Sequence, residues 1–340
     1  IDVYRGQIEA RSNFWNVALY VSFFPQLVAG PIERAARLIP QFERKRRVQI
    51  GVLHEGVYLL IWGFFKKLVI ADSVAVITNK IFMLDSPSVG LLTVGVLAFG
   101  VQILADFSGY TDIARGSARL LGIRLVENFK NPYFANSPRD FWHRWHISLS
   151  SWFRDYVYIP LGGARGGRWK SVAVLVGTFL ITGLWHGAAW NFVIWGGYHG
   201  LLLVANRALA GTKVVKTMAD WMLFRVGAIL ITFVLVHVGW FLFRADDLSI
   251  LWNSVSAQFL GTSVGPGSVT MFLFFQVALY SLPLWISAAY RAARGSEWYT
   301  DVIGRKVVDL PIKTGTAMAL FVGILMVRSQ VNVDFIYFQF

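Results

Sequence analysis

Apolar residues recur along the chain in runs separated by short polar stretches. The runs near 14–30, 52–71, 89–106, 171–184, 188–205, 222–243, 270–288 and 314–330 predict about eight transmembrane or re-entrant helices. Several are short or broken by Gly and Pro, as in FFPQLVAGP at 23–31. Such breaks at membrane depth persist only where protein or a water-filled cavity satisfies the freed backbone groups. The expected fold is therefore all-α, a polytopic integral membrane protein with additional interfacial helices, forming one domain over residues 1–340.

Composition agrees. Of 340 residues 56% are hydrophobic and 15% charged, where soluble domains carry about a quarter charged residues. The net charge of +13 would suggest nucleic acid in a soluble chain. Here the bases concentrate between apolar runs, so no nucleic-acid partner is expected. RAARLIPQFERKRR at 34–47 is strongly basic, and 107–170 carries ten Arg/Lys against four Asp/Glu. Segments 206–220 and 289–313 are also basic, whereas 72–88 and 244–269 each hold a single base. With alternating spans, every basic segment falls on one side, the cytoplasmic face of a multi-pass inner-membrane protein. The absence of cysteine excludes disulfides, thiolate metal sites and a cysteine nucleophile. The chain starts at Ile1 rather than Met, so its N-terminus is expected to be missing or processed, with part of the machine outside this sequence.

Residues 171–205, flanked by basic segments, are too long for one span: 35 residues would rise roughly 52 Å against a hydrocarbon core of about 30 Å. A hairpin turning near Gly183–Gly187 is predicted. Its first arm, of about 14 residues, rises only roughly 21 Å, which leaves His186 within the bilayer profile, at the floor of a depression open to the non-cytoplasmic side. A histidine there is costly unless it faces a cavity or a partner, and a neutral imidazole can serve as a general base. A packing histidine bonded to a neighbouring carbonyl is the plainer reading. Gly183 and Gly187 free space around the ring, Trp185 and Trp190 can wall a pocket, and Asn191 is a polar candidate for substrate contact. His199, 13 residues on, is expected to be structural.

In 141–163, FWHRWHISLSSWFRDYVYIPLGG, aromatic residues interleave with Arg and His. The segment 107–170 is expected to lie in or dip into the cytoplasmic interface, ending in a loop at Gly162, Gly163, Gly166 and Gly167. His143 and His146 share one face if the segment is helical. Without cysteine or an HExxH pattern no metal is expected there; one of the pair serves a substrate, or both are interfacial. No G-x-S-x-G elbow surrounds Ser148, Ser150 or Ser151. Arg144 and Arg154, with Arg165, Arg168 and Lys170, would attract an anionic, phosphate-bearing ligand, although inner-leaflet charge bias gives the same pattern. GGARGG is not a Walker loop.

DFSGYTDIARGSARLLGI at 106–123, NPYFANSPRDFWHRWHISLSSWFRDYVYIPLGG at 131–163 and TGLWHGAAWNFVIWGGYHG at 182–200, with FFPQLVAGPIER at 23–34 and the ending DFIYFQF at 334–340, resemble the membrane-bound O-acyltransferase family. The likeness is to its bacterial alginate O-acetyltransferase branch. It implies two catalytic histidines, which fall on His186 of the LWHG motif and His146 of the WHIS motif, leaving His143 aside. It also implies a cytoplasmic thioester donor such as acetyl-CoA, with no other cofactor. The acceptor would be an extracytoplasmic polysaccharide such as alginate, or a periplasmic transfer partner that completes delivery. A transporter or flippase of a small anion or lipid-linked intermediate is the competing class; the lack of matching discontinuous segments in repeated halves speaks against it.

Overall fold

The computed structural model describes residues 1–45, 49–218, 221–295, 310–327 and Phe335. Among the described residues the regular structure is helical, apart from an isolated bridge between Pro87 and Val264. Helices α1 (Phe14–Ser22) and α2 (Ala35–Glu43) precede α3 (Ile50–Phe65), which passes through a π-helical turn (Lys66–Ala71) into α4 (Asp72–Phe82). Helix α5 (Val89–Leu120) follows, then a short connecting region with α6 (Pro138–Arg144) and α7 (Ile147–Phe153). The remainder is α8 (Arg168–His186), α9 (Trp190–Ala210), α10 (Lys213–Met218), α11 (Met222–Arg244), α12 (Ser249–Leu260), α13 (Gly267–Arg294) and α14 (Leu310–Val327).

Three of these, α5, α11 and α13, are long and apolar enough to cross a membrane. The other predicted runs are also helical, with shifted limits. The run at 14–30 is not one helix: α1 stops at Ser22, a 3-10 turn spans Phe24–Gln26, and Val28 takes a left-handed φ of 59°. The run at 89–106 continues to Leu120, so DFSGYTDIARG extends the buried helix instead of lying at an interface. Ser88 starts that helix by accepting the Leu91 N–H at 3.2 Å, satisfying one of its orphan donors. The end of the run at 314–330 lies outside the described residues.

Helices α3 and α5 run antiparallel at glycine contact. A Cβ built on Gly63 would stand 2.7 Å from the Gly109 carbonyl oxygen, and one on Gly56 would meet Gly116 oxygen at 3.1 Å. Small residues of this kind let helix backbones approach closely within a membrane. Immediately beyond the glycines, the π-helical turn directs two consecutive lysines at α5. Lys66 Nζ lies 2.6 Å from Asp112 and 2.9 Å from Ser108 Oγ, while Lys67 Nζ lies 2.8 Å from both Asp72 and Asp106. All five charged groups, Lys66, Lys67, Asp72, Asp106 and Asp112, are buried. The opposite side of α5 presents Phe99, Ile103 and Phe107 to an aromatic core built with Trp145, Trp195, Trp240 and Phe243.

Removing one member of a buried ion pair strands its partner, typically at a cost of about 3–5 kcal/mol. Lys67→Met is accordingly expected to lower the unfolding midpoint of the detergent-solubilised protein strongly. Replacing an exposed cation such as Arg154 should leave that midpoint nearly unchanged, and equal midpoints for the two variants would contradict this account.

Candidate active site

The hairpin predicted over 171–205 is present, with its turn at Gly187–Ala189. Its first arm is longer than expected: α8 has 19 residues, about 28 Å of rise, because the helix begins at Arg168 and runs through the LWHG motif to His186. Length alone therefore does not stop this arm short. The two arms touch at glycine. A Cβ on Gly183 would collide with the Phe192 carbonyl, and one on Gly196 with the Phe179 carbonyl. This close antiparallel contact brings α9 and its Trp195 against the end of α8.

His186 is the last residue of α8 and is partly exposed. Trp195 stands edge-on to its ring at 5.1 Å and Phe243, from the end of α11, at 5.3 Å. Trp185 lies beside it with ring centroids 5.0 Å apart, half-exposed. Trp190 does not wall the site, since the turn at Gly187 throws it outward, 80% exposed. Asn191 fastens the start of α9 to the end of α11 by donating Nδ2–H to the Phe243 carbonyl at 3.2 Å. The sequence motif contained Trp195, but nothing in the linear order marked Phe243 or Phe107 as neighbours.

His146 arrives from the connecting region. Helix α6 closes when the Trp145 N–H bonds the Phe141 carbonyl at 2.8 Å. Trp145 is then extended, and His146 adopts a left-handed φ of 42° before α7 begins. Non-glycine residues in this region carry strain and concentrate at functional sites. The break also corrects the expectation that His143 and His146 share a helix face: His143 is exposed and His146 buried. They cannot chelate one ion together. Among the described residues, no three His, Asp or Glu side chains group as metal ligands.

The His146 ring packs edge-on to Phe107 of α5 at 4.6 Å. Burial pushes its imidazole well below the ordinary value, and His186 nearby pushes the same way. Two histidines 40 positions apart thus stand against one aromatic cluster, His146 on Phe107 and His186 on Trp195 and Phe243. His199 stands apart in the core, 1% exposed, on the other side of Trp195 at 5.1 Å, and Gly239 offers its Nε2 room where any side chain would clash. It is a packing residue of the hairpin.

Arg144 and Arg154 do not converge on the histidines through any contact described here. Arg144 Nε bonds Asp140 at 2.8 Å, and Arg154 Nε bonds Asp155 at 2.8 Å from an exposed position. The glycine loop falls as expected, with Gly162, Gly163, Gly166 and Gly167 all at positive φ.

Comparison with known proteins bears on this geometry. The sequence model of the membrane-bound O-acyltransferase family matches residues 7–246. The chain is 43% identical over 261 residues to a probable alginate O-acetylase AlgI of Azotobacter vinelandii, covering 76% of this chain and 50% of that protein. It is 34% identical over 353 residues to the peptidoglycan O-acetyltransferase of Helicobacter pylori, covering 97% of this chain and 65% of that protein. A teichoic acid D-alanyltransferase of Bacillus subtilis is 30% identical over 254 residues, covering 70% and 63% respectively. The chain spans about half the length of the alginate O-acetylases it matches.

The glycine contact that seats His186 yields a paired prediction. Gly183→Ala should separate α8 from α9 and lower the unfolding midpoint, since overpacking costs about 1–3 kcal/mol. Gly177→Ala, on the same helix with nothing within 4 Å, should hold or slightly raise it by helix propensity. A thermal-shift comparison decides, and equal behaviour of the two would refute the tight register.

Proposed function

The chain belongs to the membrane-bound O-acyltransferase family, and from that premise we propose that it moves a small acyl group, acetyl in the simplest case, from a cytoplasmic thioester to a hydroxyl outside the inner membrane. The relatives' names supply the acceptor class: alginate, peptidoglycan and teichoic acid are all extracytoplasmic polymers. The acceptor is a polysaccharide of that kind, or a partner protein that delivers to it. The observation that carries the reading is that His146 of the connecting region and His186 of the α8–α9 hairpin pack against rings of one aromatic cluster, Phe107, Trp195 and Phe243. A buried packing role for His186 alone would need neither the second imidazole nor the partial exposure of the turn.

In this reading about eight helices cross or enter the bilayer, with the basic segments facing the cytoplasm. Neutral His186 accepts the proton of the acceptor hydroxyl as its oxygen attacks the thioester carbonyl. His146 donates a hydrogen bond to the carbonyl oxygen as negative charge develops there. The tetrahedral intermediate collapses with cleavage of the C–S bond, leaving a new C–O ester. The departing thiolate takes the proton from His186, which returns neutral. Both reactants lose contact with water beside the aromatic cluster, where such hydrogen bonds act more strongly. Trp185 and Asn191 border the acceptor side, while Arg144 and Arg154 lend positive charge to the donor side.

General-base catalysis typically contributes about 10²–10⁴-fold. In membranes supplied with labelled acetyl-CoA and candidate polymers, His186→Ala and His146→Ala should each lose at least about a hundredfold in acetyl transfer, while inserting normally. His143→Ala should stay within about twofold. Full transfer by His186→Ala would end this mechanism.

A further inference from the structure

We propose that Asn128 is a ligand-binding residue of the donor side and, through the loop it holds, a positioning residue for His146; this rests on the acyltransferase reading. Asn128 lies between α5 and α6 and is 1% exposed. Its carbonyl accepts the Ile147 N–H at 3.1 Å and its Oδ1 accepts the Ser148 N–H at 3.0 Å. These are the two residues immediately after His146, and their anchorage holds the left-handed turn in place. Because Oδ1 faces an N–H, the orientation of the amide is fixed, and Nδ2 is the remaining corner. That donor is buried and has no hydrogen-bond partner among the described residues. A buried orphan donor of this kind requires an explanation, and a residue already clamped twice has little freedom to turn away.

The same residue lines an opening between α3, α5, α13 and the segment 127–134. Trp62, Phe129 and Trp285 give it aromatic walls. Lys66, Arg115 and Arg291 line it against Asp112 and Glu127, leaving one cation in excess. Apolar walls with a few convergent polar groups are the usual composition of a ligand site. The chemistry that fits is an elongated anionic amphiphile whose carbonyl or amide oxygen accepts from Asn128 Nδ2. A phosphate-bearing acyl thioester has it, and so does an anionic phospholipid with its ester carbonyls. We assign the thioester, because the opening adjoins the reaction centre: Phe129 is edge-on to Phe107 at 5.0 Å, and Phe107 to His146 at 4.6 Å. A ligand oxygen on Nδ2 would therefore lie two rings, Phe129 and Phe107, from the imidazole and pull on the amide that fixes Ser148.

Asn128→Asp separates the two roles. It keeps an acceptor for the Ser148 N–H but loses the donor, except when its carboxyl is protonated. In equilibrium binding of labelled acetyl-CoA to the full chain in nanodiscs, this variant should bind at least tenfold more weakly than wild type at pH 9. The deficit should shrink towards pH 5, as an acid O–H replaces the amide N–H. Asn128→Ala should bind weakly at every pH, and Trp190→Ala, at an exposed position outside the site, should bind as wild type does. Ser287→Trp, filling the opening from α13 without touching the His146 loop, should also weaken binding at least tenfold, and it serves if the Asn128 variants do not fold. Wild-type binding by Asn128→Asp across the pH range, or by Ser287→Trp, overturns the assignment. So does displacement of the label by phosphatidylglycerol vesicles but not by unlabelled CoA, which would mark a lipid site. Acetyl transfer by Asn128→Asp with unchanged KM defeats this inference alone, whereas absence of transfer in wild type defeats the acyltransferase reading.

Discussion

Charge compensation against α5 frames the molecule. Lys66 and Lys67 would be prohibitively expensive in an apolar interior without Asp112, Asp106 and Asp72. Satisfying them requires α3, the π-helical turn and α4 to lie along one side of α5. That commitment leaves the other side of α5 to the aromatic residues, where Phe99 packs on Phe243 and Phe107 meets His146. The polar half of the helix thus fixes where its apolar half can receive the connecting region and α11. The glycine contacts below the lysines serve the same end, since they set the helix separation at which the ammonium groups reach the carboxylates.

The proposed chemistry depends on a second constraint, the way in which two histidines with unrelated backbone settings converge. His186 is delivered by a helix end, held by glycine contact between two arms. His146 is delivered by a strained turn, held by hydrogen bonds that the Ile147 and Ser148 N–H groups donate to Asn128. Neither arrangement relies on the other's sequence neighbourhood. A substitution near one histidine can therefore spoil the geometry without touching the second, which is how a site assembled from distant segments differs from a contiguous motif.

Much of this was legible in the linear order. Apolar run lengths located the helices, and the long run with basic flanks required a hairpin over 171–205. His186 and His146 stood out through their motifs. What remained hidden were features set by three-dimensional pairing. The acidic residues of DFSGYTDIARG read as interfacial because their lysine partners lie some 40 positions earlier, at Lys66 and Lys67. The spacing of His143 and His146 suggested one helix face, because no periodicity reveals a left-handed residue at position 146. Trp190 looked able to wall the pocket with Trp185, yet the turn at Gly187 sends it outward, and Trp195 is the ring left inside. Asn128 has no distinguishing neighbours at all; only its double use by Ile147 and Ser148 sets it apart.

The π-helical turn at Lys66–Ala71 has a consequence for how this region can vary. An ordinary α-helix advances about 100° per residue, so two adjacent lysines cannot both aim at one neighbour unless the winding is loosened. Deleting a single residue there would restore regular winding and swing the whole of α4 round its axis, turning Val74 and Ile81 away from α5 and out of the core. The segment from Gly63 to Val74 should therefore keep a constant length through evolutionary change, while gains and losses accumulate in the short link between α4 and α5.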